Sequence, residues 1–481
     1  MVPERFAPVL AEIAPLAERF AAAGHRLYLV GGPVRDLLLG EEFGGGFVFD
    51  DLDFTTDARP PQIKAALDGW ADALWTQGEK FGTIGAKRAG RTYEITTFRA
   101  ESYADDSRKP HVTFSDEIET DLSRRDFTVN AMALEVTTPE PTLIDPFGGA
   151  ADLLTKVLRT PLTADVSFSD DPLRMLRAAR FVARLDLEPT AELLAAVAEI
   201  KGRLSIVSPE RIRDEFDKLL TLDHPAKGLW FLYDTGLADE FFPELSLMRL
   251  EHDPIHRHKD VLSHTIAVVE NVRPPHEQPP RPDGTARPEF DFRIVRLAAL
   301  FHDIGKPRTR GYLEGKGTTF HFHDVVGARM TRKRLQALRY SNDDVDAIST
   351  LVELHLRFHT FRLGWTDAAV RRYVRDSGDL LDELNVLTRC DCTTRNARKA
   401  AELSKRMDAL EARIDELVAA EELASIRPEL DGQQVMELLG IPPSRTVGEA
   451  LDFLLEIRLD EGLLGEAAIT ERLREWWAAR G

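Results

Sequence analysis

The chain has 481 residues, 43% of them hydrophobic, with 25 Phe and 6 Trp, enough to build about two to four domains with sizeable cores. Its formal net charge of −19 excludes a protein coated in positive charge that binds any nucleic acid, but leaves room for a local basic groove. No stretch is long and apolar enough to span a bilayer, and the only cysteines, Cys390 and Cys392, are too close to bridge readily, so we expect a cytoplasmic chain with free thiols and no membrane partner.

The N-terminal MVPERFAPVLAEIAPLAERF is interrupted by charge and reads as an amphipathic helix, not a secretory signal. LYLVGG (27–32) reads as a strand entering a Gly turn. PVRDLLLG (33–40) reads as a helix with Pro in its first turn and Gly at its end. FVFDDLDF supplies a second strand, and GTIGAKRAGRTYEITTFR (82–99) a hairpin turning at Ala89-Gly90. From about Asp152 to Met248 the pattern is almost wholly helical, and SPERIRDEFDKLL (208–220) is a helix with Ser208 as cap and Pro209 at its first position. Helices from about 250 to 400 carry most of the 13 histidines, around RPPHEQPPRPDGTARPEF (273–290), which has the Pro/Gly content of a mobile loop. The last stretch is helical and highly charged.

Asp51 and Asp53 pose the first chemical question. In a strand, residues i and i+2 face the same side, so both carboxylates lie together. Such closeness is unfavourable unless a cation bridges them, and Mg²⁺ suits oxygen ligands. The plain alternative is a solvated acidic cluster at a strand end. Upstream, Gly31-Gly32 allows close backbone approach and precedes a helix N-terminus that favours anions. The turn, a helix bearing Arg35 and Asp36, and the D-x-D strand together make a phosphate site beside a metal site, as nucleotidyl transfer requires.

Residues 168–184, FSDDPLRMLRAARFVAR, place Arg174, Arg177, Arg180 and Arg184 at helical spacing. Alone, that stripe reads as a solvated basic face. With Arg124, Arg125, Asp126 and Asn130 of TDLSRRDFTVNAMAL it could hold a triphosphate and an RNA backbone. Asp171 and Arg174, three apart, would share a helix face. An aspartate accepts from an exocyclic amine and an arginine donates to a ring nitrogen, an order that fits cytosine and adenine and rejects uracil and guanine. Asp171 before Pro172 is equally a helix N-cap signal.

LYLVGGPVRDLLLG, DLDFTTDARP and LSRRDFTVNAMAL resemble the head of bacterial tRNA nucleotidyltransferases, the class II CCA-adding enzymes, relatives of bacterial poly(A) polymerase within the polymerase-β superfamily. The resemblance covers at least residues 27–220. It implies that Asp51 and Asp53 are catalytic Mg²⁺ ligands, and that Gly31, Gly32, Arg35, Arg125, Asp126, Asn130, Asp171, Arg174, Arg177 and Arg180 bind the nucleotide. It also implies tRNA, CTP and ATP as partners, with Asp170 standing where the family's base-selecting motif more usually has Glu. EEFGGGFVF departs from the family in being longer and richer in Gly. The charged stretch RAESYADDSRKPHVTF (99–114) corresponds to a loop that helps switch specificity from C to A, and argues for addition of all of CCA. GEKFGTIGAKRAG resembles the CCA-adding form more than the Arg-rich poly(A) polymerase form.

VLSHT, LAALFHDIGKPRTR, HFHDVVGA and LVELHLRFH carry His264, His302-Asp303, His323 and His355. A single histidine is ordinarily a core or surface residue; an adjacent His-Asp followed by IGK, flanked by histidines on helices, resembles the HD metal-dependent phosphohydrolase domain. That resemblance implies an unidentified divalent metal held by His264, His302, Asp303 and Asp391, with His323 and His355 as further candidates. In related proteins with both modules, the HD part removes 2′-phosphates or opens 2′,3′-cyclic phosphates. Cys390 and Cys392 beside Asp391 read as packing, not a zinc site.

The expected architecture is α+β: a polymerase-β-like head (1–150), a helical neck with the base-selecting motif (151–248), an HD domain (249–400) and a helical tail (401–481). Poly(A) addition to RNA, or a phosphohydrolase whose head only binds nucleotide, are the competing functions.

Overall fold

The computed structural model describes residues 3–40, 51–102, 111–250, 260–314, 317–360, 365–394, 396–421 and 426–480. EEFGGGFVF and the central part of the 99–114 loop lie outside these residues. The chain divides into two compact units, Met1–Pro243 and Glu244–Gly481.

The first unit is built on a seven-stranded sheet. Five of its strands are β1 (Leu27–Val30), β2 (Asp51–Thr56), β3 (Ala73–Trp75), β4 (Thr83–Arg88) and β5 (Arg91–Thr97). The order is β3-β4-β5-β2-β1, continued by Ala133–Glu135 and Thr142–Ile144. β2 pairs antiparallel with β1 and parallel with β5, so the sheet is mixed and β2 is interior. The N-terminal helix Ala7–Ala22 buries Val9, Ile13, Leu16 and Phe20, a spacing of four, three and four that keeps one apolar stripe against the sheet core. Phe98, Ile118 and Leu122 help form a second apolar cluster with Tyr28 and Val30 of β1. The hairpin turns where expected, because Ala89 (φ 49°) and Gly90 (φ 86°) both take the left-handed conformation that such tight turns require. The neck follows as helices, among them Leu173–Arg184 and Pro209–Leu220, plus one short parallel strand pair, Val157–Leu158 with Glu188–Pro189. Ser208 stands at the N-cap position but its hydroxyl makes no capping bond, so Pro209 alone marks that start.

The second unit is almost entirely helical. Helices Val261–Asn271, Phe292–Phe301, His323–Ala337, Asn342–Leu354 and Leu381–Cys390 carry the histidine-rich region. The loop 273–290 is tied down: Arg281 pairs with Asp415 (2.6 Å) and Arg287 with Glu411 (2.7 Å), both on the helix Ala397–Glu421. Beyond it, Leu430, Val435, Leu454, Ile469 and Leu473 help build a separate small core for the tail. No described helix is long and apolar enough to cross a membrane.

Candidate functional site

In β2 the apolar side chains of Leu52 and Phe54 enter the core, which turns Asp51 and Asp53 to the opposite, solvent-accessible face. The parallel register sets Asp51 against Thr92 and Asp53 against Glu94 of β5. Three carboxylates therefore share one face of two adjacent strands. Desolvation by the surrounding protein raises the Asp53 carboxyl above its ordinary value; Arg125 opposes this and Asp51 reinforces it. Glu94 is raised in the same way, first by desolvation, then by Asp53 and Asp51. The neighbouring negative charge that raises Asp53 and Glu94 is what a bound cation relieves, so this set fits Mg²⁺. Glu94 was not legible as a site residue. Its only sequence signal is a carboxylate between Tyr93 and Ile95 in an alternating strand, and the register that pairs it with Asp53 is a tertiary fact.

Gly31 precedes the helix Gly32–Leu39 with φ 74°, a conformation that suits glycine, and a Cβ there would stand 3.1 Å from Arg125 Nη1. Arg125 itself reaches Asp121 (3.7 Å), while its buried Nε has no protein partner. Asp121 is fully buried, accepts from Thr55 of β2 (3.0 Å) and binds Arg124 through Nε and Nη2 (3.0 and 2.9 Å). The Gly turn, the strand bearing Asp51 and Asp53 and the Arg124-Arg125 pair are thus mechanically connected.

The arginine stripe is not a solvated face. Arg177 donates twice to Asp126 Oδ2 (2.8 and 2.5 Å), Arg184 pairs with Asp36 (3.2 Å), and Arg180 pairs with the buried Glu215 of the helix Pro209–Leu220 (2.5 Å). Asp126 Oδ1 accepts from Asn130 Nδ2 (2.9 Å), whose Oδ1 accepts from Arg35 (2.5 Å), and Arg35 also holds Asp36 (2.7 Å). Burial would raise the Asp126 carboxyl, but Arg177 and Asn130 more than offset it and hold it well below the carboxylate range. Arg35, Asp126, Asn130 and Arg177, expected together at the nucleotide, form one hydrogen-bonded network, whereas Arg180 joins two neck helices.

Asp171 departs from the shared-helix-face argument. Its backbone is extended (φ −137°), it lies before the helix Leu173–Arg184, and its Oδ1 accepts from Leu173 N (3.2 Å). Pro172 blocks a helical conformation for the preceding residue, which is why the helix starts after it. The capping role is therefore realised, and Oδ2 faces Arg211 (3.4 Å). Arg174, in the first turn, donates to Ser167 Oγ (2.8 Å) and to the carbonyl of Arg124.

In the second unit the expected ligands converge from five helix-bearing segments. His264 Nε2 lies 2.9 Å from Asp391 Oδ1 and 3.3 Å from His302 Nε2. Asp303 Oδ2 is 3.2 Å from His302 Nε2, and its Oδ1 is 3.4 Å from His323 Nε2 and 4.0 Å from His355 Nε2. His302, His323 and His355 each have Nδ1 within 2.6–2.8 Å of the carbonyl three residues earlier. A carbonyl only accepts, so each Nδ1 carries a proton and each Nε2 is the atom turned into the site; burial lowers His302, but Asp303 and Asp391 more than offset it and raise the ring above the ordinary histidine value, so a cation bound there would take the place of its second proton. The Nε2 atoms of His323 and His355 are buried and make no hydrogen bond. Inward lone pairs beside carboxylates fit a divalent cation. Burial would raise Asp303 and Asp391; His302 and Lys306 hold Asp303 well below the ordinary range, and His264 and His359 do the same for Asp391. Burial, then His302, pushes His355 down to about 4, leaving it the neutral imidazole a metal requires. His359 reaches Asp391 Oδ2 at 3.8 Å and was not singled out beforehand, although it follows His355 by one helical turn. Cys390 is buried, its thiol pushed up to about 12 chiefly by burial, as packing predicts; Cys392 lies past the helix end, beside a cavity of about 360 Å³.

Residues 27–159 match the poly A polymerase head domain, 186–248 the probable RNA and SrmB-binding site of polymerase A, and 261–414 the HD domain. The class is therefore a nucleotidyltransferase with an attached HD module. The A-adding tRNA nucleotidyltransferase of Deinococcus radiodurans is 36% identical over 373 residues, 75% of this chain and 80% of that enzyme. The chain belongs to the tRNA nucleotidyltransferase family. The CCA-adding enzymes of Lactobacillus johnsonii and Bacillus subtilis are 39% and 40% identical over 240 and 227 residues, matches that span 56% and 54% of their length. Among solved structures, a Bacillus stearothermophilus CCA-adding enzyme in complex with CTP shares the fold (TM-score 0.66, 24% identity, 99% of each chain). So does a Thermotoga maritima CCA-adding enzyme complexed with tRNA (TM-score 0.60, 22% identity, 98% of this chain and 97% of that one).

Proposed function

We propose that the protein completes tRNA 3′ ends by adding C, C and A from CTP and ATP without a nucleic-acid template, in a reducing cytoplasm. The observation that carries this reading is the three-carboxylate face of Asp51, Asp53 and Glu94 beside the Gly31 turn and Arg125. Asp51 and Asp53, with Glu94 alongside, would hold Mg²⁺, which when bound would lower the pKa of the attacking hydroxyl and offset the charge of the leaving pyrophosphate. The tRNA 3′-oxygen bonds to the α-phosphorus, the α–β bridging P–O bond breaks, and pyrophosphate departs. Arg125, with a donor left over, is placed to neutralise phosphate beside the acids.

Base choice falls to Asp171 and Arg174. Cytosine and adenine each offer an exocyclic amine to the carboxylate and a ring nitrogen to the guanidinium. Asp171 then exchanges its 3.4 Å contact with Arg211, and Arg174 its contacts with Ser167 and Arg124, for the base edge. Asp126, Asn130, Arg35 and Arg177 act as the brace that holds these groups against the head. In the second unit, the histidine–aspartate cluster hydrolyses 2′-phosphate monoesters, releasing inorganic phosphate, or opens 2′,3′-cyclic phosphates by breaking the P–O3′ bond, which leaves a 2′-phosphate and a free 3′-hydroxyl; a divalent metal held there would polarise the ester and lower the pKa of a bound water. The orphaned Nε2 atoms of His323 and His355 favour a metal there.

A second reading is addition of A alone, favoured by the relative from Deinococcus radiodurans, an A-adding enzyme that aligns over 75% of this chain. The test is incubation with Mg²⁺ and tRNA ending at the discriminator base or at CC. Two residues from CTP alone, three from both nucleotides and then a stop support CCA addition. Extension only of the CC-ended tRNA by ATP establishes A addition, and a long A tail makes the protein a poly(A) polymerase.

A further inference from the structure

We propose that Trp75 is the platform on which the last base of the RNA acceptor strand stacks while its 3′-oxygen is presented to the head carboxylates. The proposal rests on the nucleotidyl-transfer reading above and adds a subsite to it. Four residues stand in one row across the sheet: Trp75 of β3 pairs with Gly85 of β4, Gly85 with Glu94 of β5, and Glu94 with Asp53 of β2. Residues directly opposed in register share a face, so the indole stands on the same side of the sheet as the acids. Gly85 makes room for it. A Cβ there would lie 2.0 Å from Trp75 Cε2 and Nε1, so only glycine lets the ring lie over β4 in the direction of Glu94. The ring remains 37% exposed and, with Phe81, Glu94 and Arg99, helps line a cavity of about 380 Å³.

The row leads away from the triphosphate. Gly31 and Arg125, the groups placed to take phosphate, flank β2 from the β1 side, whereas Glu94 and the cavity lie on the β5 side. In an in-line displacement the attacking oxygen enters opposite the leaving pyrophosphate. The acceptor strand therefore approaches from the β5 side and meets the cavity first. Base selection lies elsewhere too, because Arg174 reaches the carbonyl of Arg124, next to Arg125. The seat of the indole at Gly85 is two strand spacings, about 10 Å, from Asp53, which leaves room for the sugar of one nucleotide between ring and acid. The surface chemistry suits this occupant. In CCA addition the terminal base changes from one step to the next, so a fixed hydrogen-bond readout would fail where stacking succeeds, since every base offers a π-face. Arg99, whose Nη1 donates to the Phe81 carbonyl, adds the positive charge that a phosphodiester seeks.

The test uses the full chain and a tRNA ending in CC, whose last base is native, absent or replaced by 2-aminopurine. Single-turnover A addition from ATP and Mg²⁺ is followed at increasing enzyme, which separates half-saturation from maximal rate. Trp75→Ala should raise the half-saturating concentration about 10-fold, the scale of one base–aromatic stack. The KM for ATP should stay unchanged, and Trp75→Phe should restore most of the loss. Removing the last base should cost the wild-type chain the same factor and cost Trp75→Ala nothing further. An indole laid over an opposed glycine also steadies a strand pair, but that role does not depend on the RNA's last base. An equal loss on base removal in both proteins therefore overturns the proposal. A wild-type chain indifferent to base removal overturns it before any variant is made, so a variant that fails to fold does not decide the outcome. The 2-aminopurine fluorescence is read without chemistry: quenching by the wild-type chain that Trp75→Ala abolishes is expected, and quenching undiminished in Trp75→Ala overturns the stack. A wild-type chain that quenches but adds no nucleotide keeps the stack and sinks the nucleotidyl-transfer reading, so the two fail separately.

Discussion

At the scale of single residues, most of the chemistry reduces to where carboxylates are left without enough positive charge. Asp53 and Glu94 are both raised first by desolvation; Asp51 adds to the shift at Asp53 and Arg125 opposes it, while Asp53 and Asp51 add to the shift at Glu94. Glu94→Gln removes one of three acids without altering the strand's alternation. We expect it to slow nucleotide addition by on the order of 10²-fold, the scale of one misplaced or missing site contact, while tRNA binding stays unchanged. Single-turnover incorporation against a filter-binding control checks this, and an unaltered rate would make Glu94 a bystander. Asp126 is the opposite case, a buried acid fully answered by Arg177 and Asn130. Its folded pKa is depressed, so its stabilisation is complete above the unfolded value of about 4 and is lost as pH falls through the folded one. Asp126→Asn should cost about 3–5 kcal/mol near pH 7 by stranding Arg177. Urea unfolding at descending pH should find the gap between the two proteins constant to about pH 5 and narrowing only below it.

At the scale of elements, what the sequence reveals is what lies within one strand or one helix. Asp51 and Asp53 face the same way because β2 alternates, and His302-Asp303 ends an apolar helix, as the pattern alone indicates. Register and partner choice are not written locally. Glu94 joins the acids only through the pairing of β2 with β5, Asp171 drops out of its helix because of Pro172, and the stripe of arginines finds Asp126, Glu215 and Asp36 on separate segments. The glycine of HDIGK acquires a packing reason in the same way. A Cβ on Gly305 would stand 2.2 Å from the carbonyl of His323 and 2.8 Å from Gly327 N, backbone atoms that cannot swing aside. The loop after His302-Asp303 is therefore pressed against the helix His323–Ala337, and that contact fixes Asp303 relative to His323. Gly305→Ala should cost about 1–3 kcal/mol by overpacking and weaken Mn²⁺ binding by the second unit. Calorimetric unfolding with and without Mn²⁺ measures both; a variant equally stable and equally stabilised by the ion would show the contact to be incidental.

At the scale of the whole molecule, the head carboxylates and the histidine–aspartate cluster occupy two different compact units. The net charge of −19 means that neither unit can recruit RNA by bulk attraction, so binding must come from local cations such as those around Arg124-Arg125. Arg125 already lacks a full complement of acceptors, and phosphate supplies them. The separation of the acids leads to a reciprocal expectation. Asp51→Asn removes a head carboxylate, so it should abolish CCA addition and leave release of phosphate from 2′-phosphorylated RNA at the wild-type rate. Asp303→Asn changes a buried residue of the second unit and should abolish that release, while nucleotide addition to an undamaged tRNA end continues. With a tRNA that ends in a 2′,3′-cyclic phosphate, the two reactions become sequential, because water must first break the P–O3′ bond, leaving the phosphate on O2′ and a free 3′-hydroxyl, before that oxygen can attack CTP. On that substrate Asp303→Asn should block addition as completely as Asp51→Asn does, and mixing the two variants should restore it. Failure of the mixture to extend the cyclic end, with each variant active on its own simple substrate, would mean that the two sites do not act in succession on one RNA end.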